Sequence, residues 1–375
     1  MTASDMCTGC GACVAVCPIG AIKLLPNSEG FLRPVKQDNC IDCGLCKKIQ
    51  NISVDVKTKD ANAFCIYSNS AEILKKSTSG AVAFGLSVML FNKGYNIVGA
   101  IYDANTDTAK HIIAKNIADI QNMRGSKYIQ SHTVEAFNKI VYDKSGAKYA
   151  VFALPCQIAG LKLILEELNP EALENVLFID LFCHGVPSNN LWQNYLASIR
   201  NKKDIGKIDS INFRSKKSGW GKYTLEIRDI NGNEFSSTED SGLYFRMYIR
   251  NIALQNSCYT CKYRGATSEA DIKLGDFWQR GIEAKGEGMS SVLTFSQKGY
   301  DAINELADFT IKPLDNSTVL SAQLNQDIPI PNIRQEILNS LANEPFDKTI
   351  KMFNKYERKQ ELTRKIKKLG ELLKG

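Results

Sequence analysis

Residues 7–18, CTGCGACVAVCP, determine how the chain begins to fold, and residues 40–46, CIDCGLC, repeat their pattern. The first run spaces its cysteines as C-x2-C-x2-C-x3-C-P, and the second run keeps the first three of them. Thiolates at this spacing hold iron–sulfur clusters, with three ligands from one run and the fourth from the other run. Zinc sites use paired C-x2-C knuckles instead, so the sequence predicts two iron–sulfur clusters.

The crossing of ligands between the two runs divides the cysteines into two sets. The complete set consists of Cys17, Cys40, Cys43 and Cys46. The other set has only Cys7, Cys10 and Cys13, because Gln50 stands where the second run should have its fourth cysteine. Three interpretations remain open for this set: a 3Fe–4S cluster, a fourth thiolate from Cys65, or an open iron that binds Gln50, water or a group of a partner.

The composition is that of an ordered protein that keeps its thiols reduced. The 375 residues are 44% hydrophobic and 23% charged, which is ordinary for folded domains. No apolar run is long enough to span a membrane, and no leader pattern precedes Cys7, so we expect a cytoplasmic protein without a transmembrane segment. Twelve cysteines against three histidines then favour sulfur-ligated metals over disulfides.

The middle of the chain alternates strand and helix patterns. KYAVFAL (148–154) and NVLFIDLF (175–182) are apolar strands, and each is followed by a short loop and a helix. This rhythm predicts an α/β domain with a mainly parallel sheet. Residues 59–72, which precede the first of these elements, look like a connector.

Four further cysteines belong to this α/β region. Cys156 and Cys183 each follow a strand, at the sheet edge where ligands bind, and Cys258 and Cys261 form a C-x2-C pair. Together they have the residue types for one 4Fe–4S cluster. A structural zinc site, or two buried thiols beside a small zinc knuckle, would use the same residues.

Several segments in order carry a resemblance to a known family. They are STSGAVAFGL (77–86), RGSKYIQS (124–131), ALPCQIAGL (153–161), DLFCHGVPS (180–188), CYTCKYR (258–264) and EADIKLGDFW (269–278). Over residues 1–320 the chain resembles the family of coenzyme F-420 hydrogenase/dehydrogenase beta subunits. That family includes the beta subunits of F-420-reducing hydrogenase and formate dehydrogenase, F-420H2 dehydrogenases with a fused ferredoxin domain, and 7-hydroxymethyl chlorophyll a reductases.

The resemblance implies a flavoprotein oxidoreductase that binds FAD in the α/β domain. The residues to which it assigns cofactor contacts are Ser77, Ser79, Gly80, Arg124, Ser126, Lys127, Tyr128, Gln130, Ser131 and Gln157. A helix that begins near Gly80 can hold phosphate at its N-terminus, although an ordinary helix cap and a solvated basic loop would look the same. His184, next to Cys183, is the candidate catalytic residue, and a structural role is its alternative.

The residues and the resemblance together predict an α+β ferredoxin-like N-terminal domain followed by an α/β flavin-binding domain with a mainly parallel sheet. The expected regions are 1–58 for the iron–sulfur domain, 59–150 and 151–325 for the two parts of the oxidoreductase domain, and 326–375 for a helical basic tail. In the tail, residues 344–375 hold ten Lys and Arg against five Asp and Glu, which suits a solvated face or an oligomer contact.

The expected function is electron transfer between a two-electron substrate at FAD, F-420H2 or another small molecule, and 4Fe–4S clusters or ferredoxin. A non-catalytic electron-transfer component of a larger complex and a ferredoxin-dependent reductase of polysaccharide biosynthesis are the alternatives. The expected partners are ferredoxin or a redox subunit, a small-molecule substrate and further copies of the chain, with no nucleic acid.

Overall fold

The N-terminal segment is a small α+β unit organised around the two cysteine runs. The computed structural model describes residues 5–51, 58, 60–238, 242–279 and 288–372. The first elements are α1 (Ala12–Ala15), β1 (Ile22–Pro26), β2 (Leu32–Lys36) and α2 (Leu45–Asn51). The two strands pair as an antiparallel hairpin, and each helix begins inside or at the end of one cysteine run.

The strands that follow form one large sheet and one small sheet. In chain order they are β3 (Asn62–Ser68), β4 (Asn96–Asp103), β5 (Thr108–Ile113), β6 (Ser131–His132), β7 (Tyr149–Phe152), β8 (Val176–Leu181), β9 (Ile208–Ser215), β10 (Thr224–Asp229), β11 (Glu234–Ser237), β12 (Ile272–Asp276), β13 (Ser290–Thr294) and β14 (Phe309–Leu314). The large sheet has the order β14-β3-β13-β12-β8-β7-β4-β5-β6, and β9, β10 and β11 form an antiparallel sheet of their own.

The large sheet is mixed, so the prediction of a mainly parallel sheet is confirmed for its central strands and for the edge pair of β5 with β6 but is wrong for its other pairs. The central strands β12, β8, β7 and β4 are parallel neighbours, as the strand–helix rhythm predicts. The pairs that β13 makes with β12 and β3, that β14 makes with β3, and that β4 makes with β5 are antiparallel. Only a few residues join β4 to β5, which suffices for a hairpin but not for a parallel crossover.

Strand β3 also corrects the interpretation of residues 59–72 as a connector. Residues Asn62–Ser68 read NAFCIYS and are almost entirely buried. The strand lies between β13 and β14, far along the sequence from both. A short apolar run without alternation fits a strand that is covered on both faces.

Helices cover both faces of the large sheet. In chain order, the helices that follow α2 are α3 (Ala71–Lys75), α4 (Val82–Asn92), α5 (Ile117–Met123), α6 (Val134–Tyr142), α7 (Pro155–Leu168), α8 (Asn189–Lys203), α9 (Leu243–Ile249), α10 (Gln297–Asn304), α11 (Asn316–Ser321), α12 (Arg334–Asn343) and α13 (Phe346–Leu372). Leu86 of α4 packs with Ala150 and Leu177 on one face. Phe137 of α6 and Ile158 of α7 pack with Val151 on the other face.

The N-terminal segment is attached to the second of these faces. Ala12 and Val14 belong to the same hydrophobic cluster as α6 and α7. Three side chains of the α6 region also donate hydrogen bonds to backbone carbonyls of α1 and its flanks: Thr133 to Cys10, Asn138 to Ala15, and Tyr142 to Val16. The predicted iron–sulfur region therefore contacts the sheet domain directly.

The end of the described chain contains two helices, α12 and α13. Helix α13 packs onto the body through Phe353, which is fully buried, and Glu357 forms ion pairs with Arg246 and Arg250. Among the helices within the described ranges, none is both long and apolar enough to span a bilayer.

Gly80 provides a test of how tightly α4 is joined to the sheet. Gly80 N donates to Ser290 Oγ and Gly80 O accepts from Ser68 N, and a Cβ on Gly80 would collide with Ile66 O and lie 2.7 Å from Ser290 N. We expect Gly80→Ala to destabilise the protein by about 1–3 kcal/mol through overpacking, measured as a lower midpoint of thermal unfolding. Gly221→Ala is the control, because its Cβ would meet no atom within 4 Å. Equal midpoints for the two variants would contradict the contact.

Candidate cofactor and metal sites

A cavity of about 660 Å³ opens at the carboxyl ends of β7, β8 and β12. This volume lies within the range of small-molecule sites, and this edge of a parallel sheet is where such sites form. Its walls come from the loop before α4, the loop after α5, the segments that follow the three strands, and residues 263–265.

The N-terminus of α4 forms one wall of the cavity. The N-cap residue, Ala81, has a left-handed φ of 70° and supplies no side-chain cap, and Val82 and Ala83 line the cavity. The preceding loop is held in place because Ser79 Oγ donates to Met289 O and Trp220 Nε1 donates to Thr78 O. A helix N-terminus presented in this way favours an anionic ligand.

Two cations stand on the neighbouring wall, and they differ in their partners. Lys127 Nζ donates to the carbonyls of Asn122, Met123 and Arg124, so it caps the end of α5. Burial lowers the pKa of Lys127 to about 7. The guanidinium of Arg124 lies 3.6 Å from the centre of the Phe84 ring, and its Nε is buried without a hydrogen-bond partner. Arg124 is therefore the cation with donor capacity left for a ligand.

Most residues predicted to contact a cofactor line this cavity. They are Ser77, Ser79, Arg124, Ser126, Lys127, Tyr128, Ser131 and Gln157. Gly80 and Gln130 are not among the lining residues. Gly80 is pressed against β3 and β13, and Gln130 bonds the N-terminal segment, because its Oε1 accepts from Leu32 N and its Nε2 donates to Thr8 O.

Other lining residues are not among the predicted cofactor contacts: Asp276 and Trp278 lie in the quoted segment EADIKLGDFW (269–278), and His111 lies in none of the quoted segments. His111 is 4% exposed, its Nε2 lies 3.2 Å from Phe152 O, and its Nδ1 is buried without a partner. Trp278 stacks on Trp220 with ring centres 4.7 Å apart. Asp276 pairs with the buried Arg214. These residues come from strands and loops distant in sequence, so only the folded chain shows that they share a site.

The structure brings Cys156, Cys183, Cys258 and Cys261 together beside the cavity. Burial raises the pKa of Cys156 well above its ordinary value, and repulsion from the other three and from Cys10 adds to the shift. Burial likewise raises the pKa of Cys183, and raises that of Cys258 to about 11. Val186 N donates to Cys258 Sγ at 3.4 Å.

This set has the ligand chemistry of an iron–sulfur cluster. Buried thiols that repel one another as anions are stabilised when iron takes the place of their protons, and amide donors to sulfur are a usual feature of cluster sites. Cys183 is also part of the cavity wall. Within the described ranges, no three His, Cys, Asp or Glu side chains converge at the spacing of a single metal ion.

His184 follows Cys183 and faces the same cavity. Its ring centre is 5.0 Å from that of Tyr248, and its Nε2 is buried without a partner. Burial lowers the pKa of His184, so the ring is neutral near pH 7 and one nitrogen remains for a ligand or a proton.

The N-terminal cysteines separate into the two predicted sets. Cys17, Cys40, Cys43 and Cys46 line one small cavity. Cys13 lies with Cys7, Cys10 and Gln50, whose Nε2 is 3.6 Å from Cys13 Sγ. Cys65 is in neither set, because it is fully buried in β3 with its Sγ 3.4 Å from Met289 Sδ.

Cys10 connects the N-terminal sets with the set beside the cavity. A Cβ on Gly160 of α7 would lie 3.0 Å from Cys10 Sγ, and α7 begins next to Cys156. Burial and then the charges of Cys156, Cys10 and Cys261 raise the pKa of Tyr263, a cavity residue. The cavity, the four-cysteine set and the Cys10 set are therefore neighbours in that order.

Comparisons with known proteins show which families the two parts of the chain resemble. Residues 146–316 match the family model for the carboxyl-terminal part of the beta subunit of coenzyme F420 hydrogenase/dehydrogenase, and residues 6–49 match a 4Fe-4S dicluster domain. The chain is 30% identical over 290 residues to one of the subunits of the F(420)H(2) dehydrogenase from Methanosarcina mazei, covering 72% of this chain and 75% of that protein.

Two further similarities are more limited. A coenzyme F420-dependent sulfite reductase of Methanocaldococcus jannaschii is 28% identical over 166 residues, which are 42% of this chain and 25% of that protein. A chain of the F420-reducing [NiFe] hydrogenase complex from Methanosarcina barkeri shares the fold with a TM-score of 0.50 at 20% identity, covering 81% of this chain and 94% of that chain.

The burial of His111 predicts a pH dependence of stability. Burial lowers the pKa of His111 to about 4, whereas an unfolded histidine titrates near 6.5. Between these values the unfolded chain takes up a proton that the folded chain refuses, so stability should fall as the pH falls below about 6.5. We expect His111→Gln to flatten this loss between pH 6.5 and 5, measured by urea unfolding at several pH values. Parallel profiles for wild type and variant would show that His111 is not the cause.

Proposed function

Because the chain belongs to the family of coenzyme F420 hydrogenase/dehydrogenase beta subunits, we propose that it is an iron–sulfur flavoprotein oxidoreductase. In this proposal FAD occupies the cavity of about 660 Å³, and electrons pass between it and the cysteine-ligated clusters. The observation that carries the proposal is the position of Cys183, which belongs both to the cavity wall and to the four-cysteine set.

The charged and polar wall of the cavity supports a dinucleotide flavin. The N-terminus of α4 and the guanidinium of Arg124 would hold the pyrophosphate, because both supply donors and positive charge in a partly dry site. Ser126 and Gln157 line the same region, and the Gln157 side chain is fixed by bonds to Leu154 N and Ser131 Oγ. These two bonds hold the Gln157 amide in one orientation.

The end of the cavity near the cysteines supports the redox chemistry. A bound flavin exchanges electrons in pairs with organic substrates and singly with iron–sulfur clusters. His184 would hold or release a proton at its Nε2 in this region, and the ring of Tyr248 keeps the imidazole in place.

The arrangement of the cysteine sets supports a single line of electron transfer. The set beside the cavity neighbours Cys10, and the set of Cys17, Cys40, Cys43 and Cys46 lies farthest along the line, with Cys43 exposed. A redox subunit or a ferredoxin would therefore meet the protein near Cys43. The reduced deazaflavin F420H2 is the proposed two-electron substrate, because two relatives carry F420 in their names.

Anaerobic single-turnover mixing with F420H2 tests this function. We expect bleaching of flavin absorbance, followed by bleaching of the broad iron–sulfur absorbance in the same molecule. Cys183→Ser should keep the first phase and lose the second, while Cys65→Ser serves as the control for the loss of a thiol. Flavin reduction without any reduction of the clusters in the wild type would refute the proposed path, and turnover with no flavin bound would refute the cofactor.

Arg124 gives a direct test of the flavin site. We expect Arg124→Gln to weaken FAD binding about 10- to 100-fold, because a hydrogen bond to a charged group is worth about 1.5–3 kcal/mol. The measurement is the FAD dissociation constant from the recovery of flavin fluorescence on release. Arg358→Gln on the exposed face of α13 is the matched control, and an equal affinity in both variants would exclude Arg124 from the site.

A further inference from the structure

We infer that the site of Cys7, Cys10 and Cys13 holds a three-iron cluster, and not the four-iron cube that a dicluster ferredoxin fold usually carries in each site. The inference rests on the proposed function, which requires iron–sulfur clusters in this segment. The inference concerns the fourth ligand position of this site. At that position the second cysteine run has Gln50 where a cysteine is expected.

The other N-terminal site has four thiolates, one more than the site of Cys7, Cys10 and Cys13. Its four cysteines surround one cavity, and each can bind one iron of a cube. After burial, the largest effects on the pKa of Cys13 come from Cys10, Cys7 and Gln50. Cys46 contributes least of the groups that act on Cys13, and it belongs to the complete set that lines the other cavity, so this site is left with three thiolates of its own and the Gln50 amide.

Gln50 is placed as a hydrogen-bond donor and not as a ligand. Its amide nitrogen lies 3.6 Å from Cys13 Sγ, and a thiolate can only accept, so the Nε2 end must face the sulfur. The group that Gln50 turns to Cys13 is therefore the amide nitrogen, which cannot bind iron as a thiolate does. An amide oxygen is in any case a hard ligand that competes poorly for iron in a sulfide cube.

Cys65 is the one cysteine of the chain that belongs to none of the three sets. It is buried in β3, away from the site of Cys7, Cys10 and Cys13. It lies opposite Ser291 of β13 and Lys312 of β14 in the sheet. Its neighbours in the hydrophobic core are Phe277, Met289, Leu293 and Val319, while α1 belongs to the separate cluster formed with α6 and α7. Bringing Cys65 to Cys13 would require β3 to leave the middle of its three-stranded antiparallel edge.

The missing corner has a consequence for the line of electron transfer. Cys10 is the member of this site that lies against α7 and near Cys156, so the three-iron cluster occupies the middle position. A donor such as the Gln50 amide stabilises the more reduced, more negative state of a cluster and raises its reduction potential. Gln50 therefore leaves the site without a ligand for a fourth iron. Its hydrogen bond to Cys13 also raises the reduction potential of the three-iron cluster.

The test is electron paramagnetic resonance of the anaerobically purified holoprotein after mild oxidation. Oxidised three-iron clusters are paramagnetic, whereas oxidised four-iron cubes are silent. We expect one such signal per chain and about 11 iron atoms in place of about 12. After incubation with ferrous iron and a thiol reductant, removal of both reagents and renewed mild oxidation, the signal should return, which separates a native three-iron site from a cube that lost an iron during purification.

Three variants sharpen the assignment. Gln50→Cys should abolish the oxidised signal after incubation with ferrous iron and raise the iron content by about one atom. Gln50→Ala should keep the signal and the iron content but lower the midpoint potential of this cluster, because the donor to Cys13 is lost. Cys65→Ala should change neither the signal nor the iron content.

The outcomes distinguish this inference from the proposed function. A wild type with about 12 iron atoms and no oxidised signal would overturn the three-iron site while leaving the electron relay intact. Loss of one iron in Cys65→Ala would overturn it as well, by identifying the fourth ligand. Absence of iron and acid-labile sulfide from the whole protein would overturn the proposed function itself. If Gln50→Cys does not fold, the wild-type spectrum and Gln50→Ala still decide.

Discussion

The site beside the cavity depends on one electrostatic constraint: burying several thiolate anions close to one another is unfavourable in free energy. Burial raises the pKa of Cys156, Cys183 and Cys258, and repulsion from at least one other cysteine of the set raises each of these pKa values further. Without a metal these groups are neutral thiols with little attraction for each other. Bound iron stabilises all the thiolates at once, because it takes the place of their protons. The close placement of these cysteines is therefore explained by metal binding better than by packing.

The backbone around this set is held by a buried ionic network. Lys273 and Asp180 are both fully buried, with Nζ and Oδ2 3.7 Å apart. Lys273 also donates to the carbonyls of Tyr263 and Thr267, and Ser268 Oγ donates to Asp180. These bonds tie the loop after Cys261 to the end of β8, which is the strand that presents Cys183. A buried ion pair of this kind fixes geometry more than it adds stability.

Much of this arrangement follows from the sequence, and the rest depends on contacts between distant segments. The cysteine spacing predicts which thiols belong together, since it acts over a few residues. The central parallel strands follow from the strand–helix rhythm. The place of β3 does not, because its apolar run fits any buried position, and its partners β13 and β14 lie more than 200 residues later. The same limit applies to the site: the loops of Ser77 and Arg124 are visible in sequence, whereas His111 and the structural roles of Gly80 and Gln130 appear only when strands pair.

The central claim is that an iron–sulfur cluster adjoins a flavin through the loop of Cys183. Crystallography of the anaerobically purified protein, with anomalous diffraction at the iron edge, tests it most directly. The account predicts a strong iron peak enclosed by Cys156, Cys183, Cys258 and Cys261, with flavin density in the adjoining cavity. A single zinc ion at that position, or a cavity that holds no flavin when the protein is saturated with FAD, would contradict it.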